Sequence, residues 1–242
     1  MLARLQDSLI SIIYPQECRV CAGEVEQRSD GVACAQCWAA TRIFGGSEIL
    51  CQKCGAYLGE QAAPVAVSCH RCDEHHYDKA IAAGIYEKAL AASIVELKAA
   101  PGLPKRLRAI IEAAVRHADL AHIDLIVPVP LAKERKIERG FNQAEIIGEV
   151  VSRIARIPLD RLSLARSRHT PVHRIGMDQR ARELTVQNAF QVARPKLVKG
   201  RSVLLVDDVL TSGATASFCA KALKKNGAAR VDVFTLARAV MR

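Results

Sequence analysis

The sequence predicts an α/β protein: a mainly parallel sheet with helices on both faces, preceded by a small domain held together by metal. Three observations predict this. Apolar segments of strand length alternate with amphipathic helical segments throughout residues 79–242, which argues for parallel strands joined by helical crossovers. The run Val-Leu-Leu-Val at 203–206 is apolar without interruption, as suits a strand buried on both faces. Residues 1–78 hold eight cysteines in four C-x-x-C pairs and few large apolar side chains. The expected domains are therefore 1–78 and 79–242.

In chain order, Leu2, Leu5, Leu9, Ile12 and Ile13 fall near helical spacing, so a short amphipathic helix is expected before Pro15. Its polar face is not basic, which disfavours a membrane role. The pairs Cys18/Cys21, Cys34/Cys37, Cys51/Cys54 and Cys69/Cys72 come next. Each pair offers two thiolates to one tetrahedral ion, and two pairs close a four-cysteine site. Eight ligands make two structural Zn²⁺ sites. Sequential pairing is the simplest arrangement; a cross-braced pairing, first pair with third, is the alternative. Disulfides are disfavoured in a reducing compartment, and a redox C-x-x-C would come once rather than four times. With all four positions of each ion filled by protein, the zinc is structural rather than catalytic. His70, His75 and His76 flank the last pair and are expected at the surface.

Residues 75–80 read as a linker. A strand is expected at 79–86 and a helix at 89–98, broken by Pro101, Gly102 and Pro104. The next helix spans 105–117, with Leu107, Ile110, Ile111, Ala114 and Val115 on one face. A short strand at 125–129 ends in the turn Val129-Pro130-Leu131, and ligands of open α/β sheets bind beyond such strand ends. Residues 133–143, KERKIERGFNQ, read as a basic loop in which Arg135 and Arg139 are fixed-charge donors for oxyanions. Asn142 should cap a helix over 143–157 that Pro158 stops. Leu162 and Leu164 suit a short strand. The stretch from Thr170 onward, with Arg166, Arg168, Arg174, Arg180 and Arg182 around it, reads as a lid; His169 and His173 are expected at its surface.

The most informative stretch is 201–216. Its strand ends in Asp207 and Asp208, followed by Thr211-Ser212-Gly213-Ala214-Thr215 and a helix to about 225. Free N–H groups at a helix start attract phosphate, hydroxyls add donors, and glycine allows close approach. The carboxylates suit sugar hydroxyls or Mg²⁺-linked water. A phosphate at one end and a ribose at the other is the arrangement of 5-phosphoribosyl-1-pyrophosphate. A Walker-type nucleotide site is excluded because no G-x-x-x-x-G-K-[ST] occurs, and a receiver-type domain would need more βα units after Asp208. Cys219 falls inside the following helix as a core residue, Gly227 ends that helix, and 231–236 is a last strand.

Among the 242 residues half are apolar, and no apolar run reaches membrane-spanning length. The N-terminus lacks a signal-peptide layout, so a cytoplasmic location is expected. The net charge of +10 is uneven. Residues 1–78 carry 6 Lys and Arg against 10 Asp and Glu, and residues 79–242 carry 29 against 15. The second domain therefore suits a polyanionic partner, whether a pyrophosphate substrate or nucleic acid. One tryptophan and 4% aromatic residues disfavour a stacking platform for single strands.

The four cysteine pairs, PVPL at 128–131, RGFNQ at 139–143 and VLLVDDVLTSGAT at 203–215 together resemble the ComF family, over nearly the whole chain. The resemblance implies a double zinc ribbon joined to a type I phosphoribosyltransferase domain. It implies that Asp207 and Asp208 hold the ribose hydroxyls and that Thr211, Ser212, Gly213, Ala214 and Thr215 hold the 5′-phosphate. Val129, Pro130 and Leu131 would form the pyrophosphate loop. The chain departs from the family's T-x-x-Q and Arg-x-x-Asn elements, with His173 at the Gln position and Thr185 at the Asn position. The expected activity is transfer of ribosyl phosphate from phosphoribosyl pyrophosphate, with Mg²⁺, to a nitrogen acceptor, Arg135 and Arg139 neutralising the leaving group. A link to DNA uptake in natural transformation is also implied. The alternative is a non-catalytic sensor of a phosphoribosyl ligand, or a single-stranded DNA-binding module acting with competence-machinery proteins.

Overall fold

The computed structural model describes residues 15–60, 67–69, 72, 74–166 and 189–240. The expected helix at 2–13 lies outside these residues, as do His70, Arg168, Arg174, Arg180, Arg182, His169, His173, Thr185 and the lid segment.

After a 3-10 turn at Arg28–Asp30, the first ribbon places the short helix α1 (Ala35–Ala39) beside its cysteines. Strands β1 (Glu48–Leu50) and β2 (Tyr57–Glu60) pair antiparallel in the second ribbon. The larger lobe follows in the order β3 (Lys79–Ala82), α2 (Lys88–Leu97), α3 (Lys105–His117), β4 (Leu125–Pro128), α4 (Lys133–Arg139) and α5 (Gln143–Ala155). Next come β5 (Leu164–Arg166), β6 (Phe190–Val192), α6 (Pro195–Val198), β7 (Ser202–Leu210), α7 (Ala214–Lys225) and β8 (Arg230–Arg238). The central sheet has the order β3-β8-β7-β4, all parallel, and β5 with β6 forms a separate antiparallel pair.

Side-chain alternation along the central strands builds two cores. Leu204 and Val206 of β7, Phe234 and Leu236 of β8 and Ile126 of β4 face α2, α3 and α5. Val203 and Leu205, Val231 and Val233, and Leu125 and Val127 face α7 on the other side. The unbroken apolar run of β7 is thus explained: both of its faces are covered. The predicted apolar face of α3, Leu107, Ile110, Ile111, Ala114 and Val115, is the buried one. Cys219 is fully buried in the α7 core. The two ribbons divide between these layers. Cys18, Cys34 and Cys37 join the α2/α3/α5 core, whereas Cys51, Cys54 and Cys72 join the α7 core.

Three local expectations are corrected. Residues 133–139 form a helix, not a loop: KERKIER contains good helix formers and no breaker, and Gly140 ends it with φ 76°. Strand β3 stops at Ala82, although a bridge between Ile85 and Arg238 continues the pairing. Residues 75–80 are not a free linker. Tyr77 is buried, Asp78 accepts from Val231 N–H (2.8 Å) and pairs with Lys224 (2.7 Å), and His76 N–H donates to Ser217 Oγ (3.0 Å).

Candidate functional site

Strand β7 delivers the acidic pair. Asp207 and Asp208 lie inside its C-terminal half rather than beyond its end, since β7 stays paired with β8 as far as Leu210 and Arg238. Each carboxylate accepts from the next backbone N–H: Asp207 Oδ1 from Asp208 (2.9 Å) and Asp208 Oδ1 from Val209 (2.8 Å). Lys98, just past the end of α2, places its ammonium 3.0 Å from Asp208 Oδ2. Burial, and then the neighbouring Asp208 carboxylate, push Asp207 up to about 7, against the pull of Lys98.

The turn after β4 lies alongside. Pro128 is in register with Val206, and Val129 N–H donates to Val206 O at 2.9 Å, so residues 129–131 sit next to the acids. Asn142 fixes this turn from above. Its Oδ1 accepts from Ala144 N–H (3.1 Å), capping α5 as expected, while its Nδ2 donates to Val129 O (3.0 Å). The capping role was legible in the sequence; the second bond was not.

On the other side of the acids, residues 211–215 join β7 to α7. The side chains of Thr211, Ser212 and Thr215 are exposed, Ala214 is half-buried and Gly213 is buried. Gly213 has φ 82°, and a Cβ there would lie 2.8 Å from His75 Nε2 and 3.0 Å from the Tyr77 hydroxyl. Glycine is thus required twice over, for its dihedral and for its neighbours. The N-cap residue Gly213 offers no side-chain cap; Ser212 Oγ accepts from Ala214 N–H at 3.4 Å, and the first-turn N–H groups after it are directed at the loop. Arg238, 3% exposed, holds the loop's entry: its Nη1 donates to Leu210 O (2.8 Å) and to Thr211 O, and its Nε donates to Cys54 O (3.2 Å).

Arg135 and Arg139 lie on α4, where Arg135 is exposed and Arg139 half-buried. A stronger cationic feature is Arg166 at the end of β5. It lines a cavity of about 290 Å³ together with Pro130, Leu131, Lys133 and Asn142. Its buried Nε has no hydrogen-bond partner among the described residues, and its guanidinium stacks 5.6 Å from the Phe190 ring centroid. Burial, reinforced by Arg135, holds its pKa below the usual arginine range. Lys98 and Arg238 were not singled out in the sequence, because their partners are remote along the chain, and Arg166 was named only among the basic residues around the lid.

The eight cysteines form two clusters, Cys18/Cys21/Cys34/Cys37 and Cys51/Cys54/Cys69/Cys72, each with its sulfurs within 4.8 Å of one another. Pairing is therefore sequential, not cross-braced. Contacts such as Cys21–Cys34 at 3.7 Å, Cys51–Cys72 at 3.6 Å and Cys54–Cys69 at 3.4 Å are close to the ~3.8 Å that a tetrahedral Zn–S distance of about 2.3 Å requires. Burial opposes ionisation of Cys18, yet N–H groups of Cys34, Cys21 and Val20 bring it down to about 6. Cys51 is likewise lowered to about 6 against burial, by N–H groups of Cys54, Cys69 and Lys53. Cys37 and Cys72 are pushed the other way, by burial and then by their neighbouring thiols. Four such sulfurs ionise together only around a cation, and the donor set fits Zn²⁺.

Residues 9–73 match the double zinc ribbon domain and residues 144–240 the phosphoribosyl transferase domain. The chain is 32% identical over 231 residues to Competence protein F of Haemophilus influenzae, covering 92% of this chain and 96% of that protein. It is 31% identical over 213 residues to DNA utilization protein YhgH of Escherichia coli K12, covering 85% and 89%. Competence protein ComFC of Bacillus subtilis is 35% identical over 115 residues, 47% of this chain and 44% of that one. Among solved structures, the glutamine phosphoribosylpyrophosphate amidotransferase of B. subtilis, complexed with ADP and GMP, aligns with TM-score 0.39 and 19% identity over 53% of this chain and 25% of that chain. Adenine phosphoribosyltransferase of Leishmania tarentolae aligns with TM-score 0.38 and 16% identity over 61% and 74%. These structural likenesses decide nothing about the site. With relatives above 30% identity over most of their length and both of its domains matched, the chain belongs to the ComF family, a double zinc ribbon joined to a phosphoribosyltransferase domain.

Proposed function

We propose that the protein binds phosphoribosyl pyrophosphate with Mg²⁺ and transfers ribosyl phosphate to a nitrogen acceptor. One observation carries the reading: the acidic pair, the 129–131 turn and the exposed hydroxyls of 211–215 meet at one end of the parallel sheet. That is where ligands of open α/β sheets bind.

In this reading the 5′-phosphate sits on the first-turn N–H groups of α7 with the hydroxyls of Thr211, Ser212 and Thr215. Gly213 and Ala214 contribute backbone only. Asp207 and Asp208 accept from the ribose hydroxyls. The diphosphate lies against Val129, Pro130 and Leu131, where Arg166 offers a donor unpaired among the described residues and Arg135 adds long-range positive charge. Mg²⁺ would be held by the diphosphate and by water on the carboxylates, and would neutralise the leaving group. The bond from C1 of the ribose to diphosphate oxygen breaks as the bond to the acceptor nitrogen forms. Diphosphate leaves with the electron pair, and the acceptor's proton goes to solvent. Arg139, half-buried at the end of α4, is the weaker member of the leaving-group set.

The names of the relatives support a place in the use of incoming DNA, which favours a role in natural transformation and a competence-machinery protein as partner. The test of the reaction is a screen of nucleobases and amines against labelled donor, following pyrophosphate release. Turnover in the wild type that falls at least about tenfold in Asp208→Asn supports an enzyme. Donor that binds and stays intact with every acceptor supports a sensor instead.

A further inference from the structure

The two four-cysteine clusters have different neighbours. The first grips the start of α2. Thr41 Oγ1 donates to Cys37 O (2.7 Å) and accepts from Ala89 N–H (3.2 Å), and Arg42 pairs with Glu87 at 2.9 Å. The second cluster reaches the loop at 211–215 by three routes. Arg238 Nε donates to the carbonyl of the zinc-ligand residue Cys54, while Nη1 of the same guanidinium donates to Leu210 and Thr211 carbonyls. His75 and Tyr77, three and five residues after the ligand Cys72, form the floor under Gly213. Their rings pack at 4.9 Å, and the buried Tyr77 hydroxyl facing the loop has no hydrogen-bond partner among the described residues. His76 N–H holds Ser217, in the first turn of α7. Among the described residues, no hydrogen bond runs from the first cluster to 210–217.

A buried guanidinium bridging two carbonyl groups fixes their separation, because its donors form a rigid planar fork. Zinc at Cys51, Cys54, Cys69 and Cys72 sets where the Cys54 carbonyl lies. The loop backbone at Gly213 approaches His75 so closely that a Cβ there would lie 2.8 Å from Nε2, so a shift of this ring is felt at Gly213. We infer that the second zinc ribbon and the phosphate loop are one coupled unit, with Arg238 as the positioning residue that links zinc at this cluster to 5′-phosphate binding. The inference rests on the reading of 211–215 as a phosphate site. It makes the second ribbon part of the site's scaffold, and leaves the first ribbon packed on α2 and α3, where Arg106 lies over the Trp38 ring.

Coupling of this kind is reciprocal: if zinc strengthens phosphate binding by some factor, the phosphate ligand strengthens zinc by the same factor. The experiment uses the full chain with both zinc sites loaded, a competing chelator, a colorimetric zinc indicator, and ribose 5-phosphate as probe. Cysteine alkylation followed by mass spectrometry identifies which cluster opens. At equilibrium, ribose 5-phosphate should raise about fivefold or more the chelator concentration needed to strip zinc from Cys51/Cys54/Cys69/Cys72, and leave that for Cys18/Cys21/Cys34/Cys37 unchanged. In Arg238→Lys, which keeps the charge and loses the fork, the increase should disappear while zinc still binds. Equal zinc retention with and without bound ribose 5-phosphate, or the increase retained in Arg238→Lys, overturns the inference. A second readout on the wild type needs neither ligand nor variant. Amide hydrogen exchange at 210–217 should quicken when the second zinc is removed and not when the first is; no change would also overturn it. Failure of ribose 5-phosphate to bind the loaded wild type counts against the phosphate site itself, and the exchange measurement then decides the coupling separately.

Discussion

The ammonium of Lys98 lies 3.0 Å from the carboxylate of Asp208, joining the end of one helix to the middle of the site's central strand. Lys98 also lowers the pKa of Asp207, which burial and Asp208 raise to about 7. Lys98→Met removes that cation and should move the Asp207 titration upward by about half to one unit. In the proposed site the ionised pair holds the ribose hydroxyls, so binding of ribose 5-phosphate should require a correspondingly higher pH. The phosphate group titrates near pH 6 in both proteins, so the informative quantity is the shift between wild type and variant. An unshifted profile would remove Lys98 from the site.

Asp207→Asn should stabilise the ligand-free protein at pH 8, and by only about a third as much at pH 5. An acid whose pKa rises on folding, here from 3.8 to about 7, is stably protonated in the folded state at low pH. Its contribution is lost as the pH climbs from the lower value through the higher, because the unfolded chain releases the proton more readily. The position is partly open to water, so the gain at pH 8 should be ~1–2 kcal/mol rather than the full amount. Thermal unfolding at the two pH values measures it, and equal effects at both would contradict the assignment.

Asn142→Ala should cost about 2 kcal/mol of stability, a cap of about 1 kcal/mol and a buried hydrogen bond of similar size. Asn142→Asp keeps the cap acceptor and loses the donor to Val129 O, so it should spare the α5 cap and still weaken pyrophosphate binding through the 129–131 turn. Denaturant unfolding and pyrophosphate titration separate the two effects.

Metal analysis should find two zinc ions per chain. Cys37→Ser and Cys72→Ser each remove one sulfur from a different cluster and should each leave about one tightly held ion. A single ion in the wild type would contradict the two-cluster arrangement.

Much of this was legible in the sequence where the signal is local. Leu107 to Val115 advertise the buried face of α3 by helical period, and the cysteine pairs advertise their ligands by spacing. Val203, Leu204, Leu205 and Val206 show a strand covered on both faces because no polar residue interrupts them. Less local features were hidden. The Lys98–Asp208 pair spans 110 positions and the Arg238–Cys54 bond 184, so neither leaves a periodic trace. Residues 133–139 misled because charge density suggested a loop, whereas helix propensity decided the backbone. The packed segment at 75–80 looked like a linker because its polar side chains have partners only in the folded chain.

The central claim is tested most directly by calorimetric titration of ribose 5-phosphate, with Mg²⁺, into the wild type and into Thr211→Val combined with Thr215→Val. Saturable one-to-one binding to the wild type is predicted, weakening about tenfold or more when the two exposed hydroxyls are lost. Equal affinity in both proteins, or no binding to the zinc-loaded wild type, would contradict it.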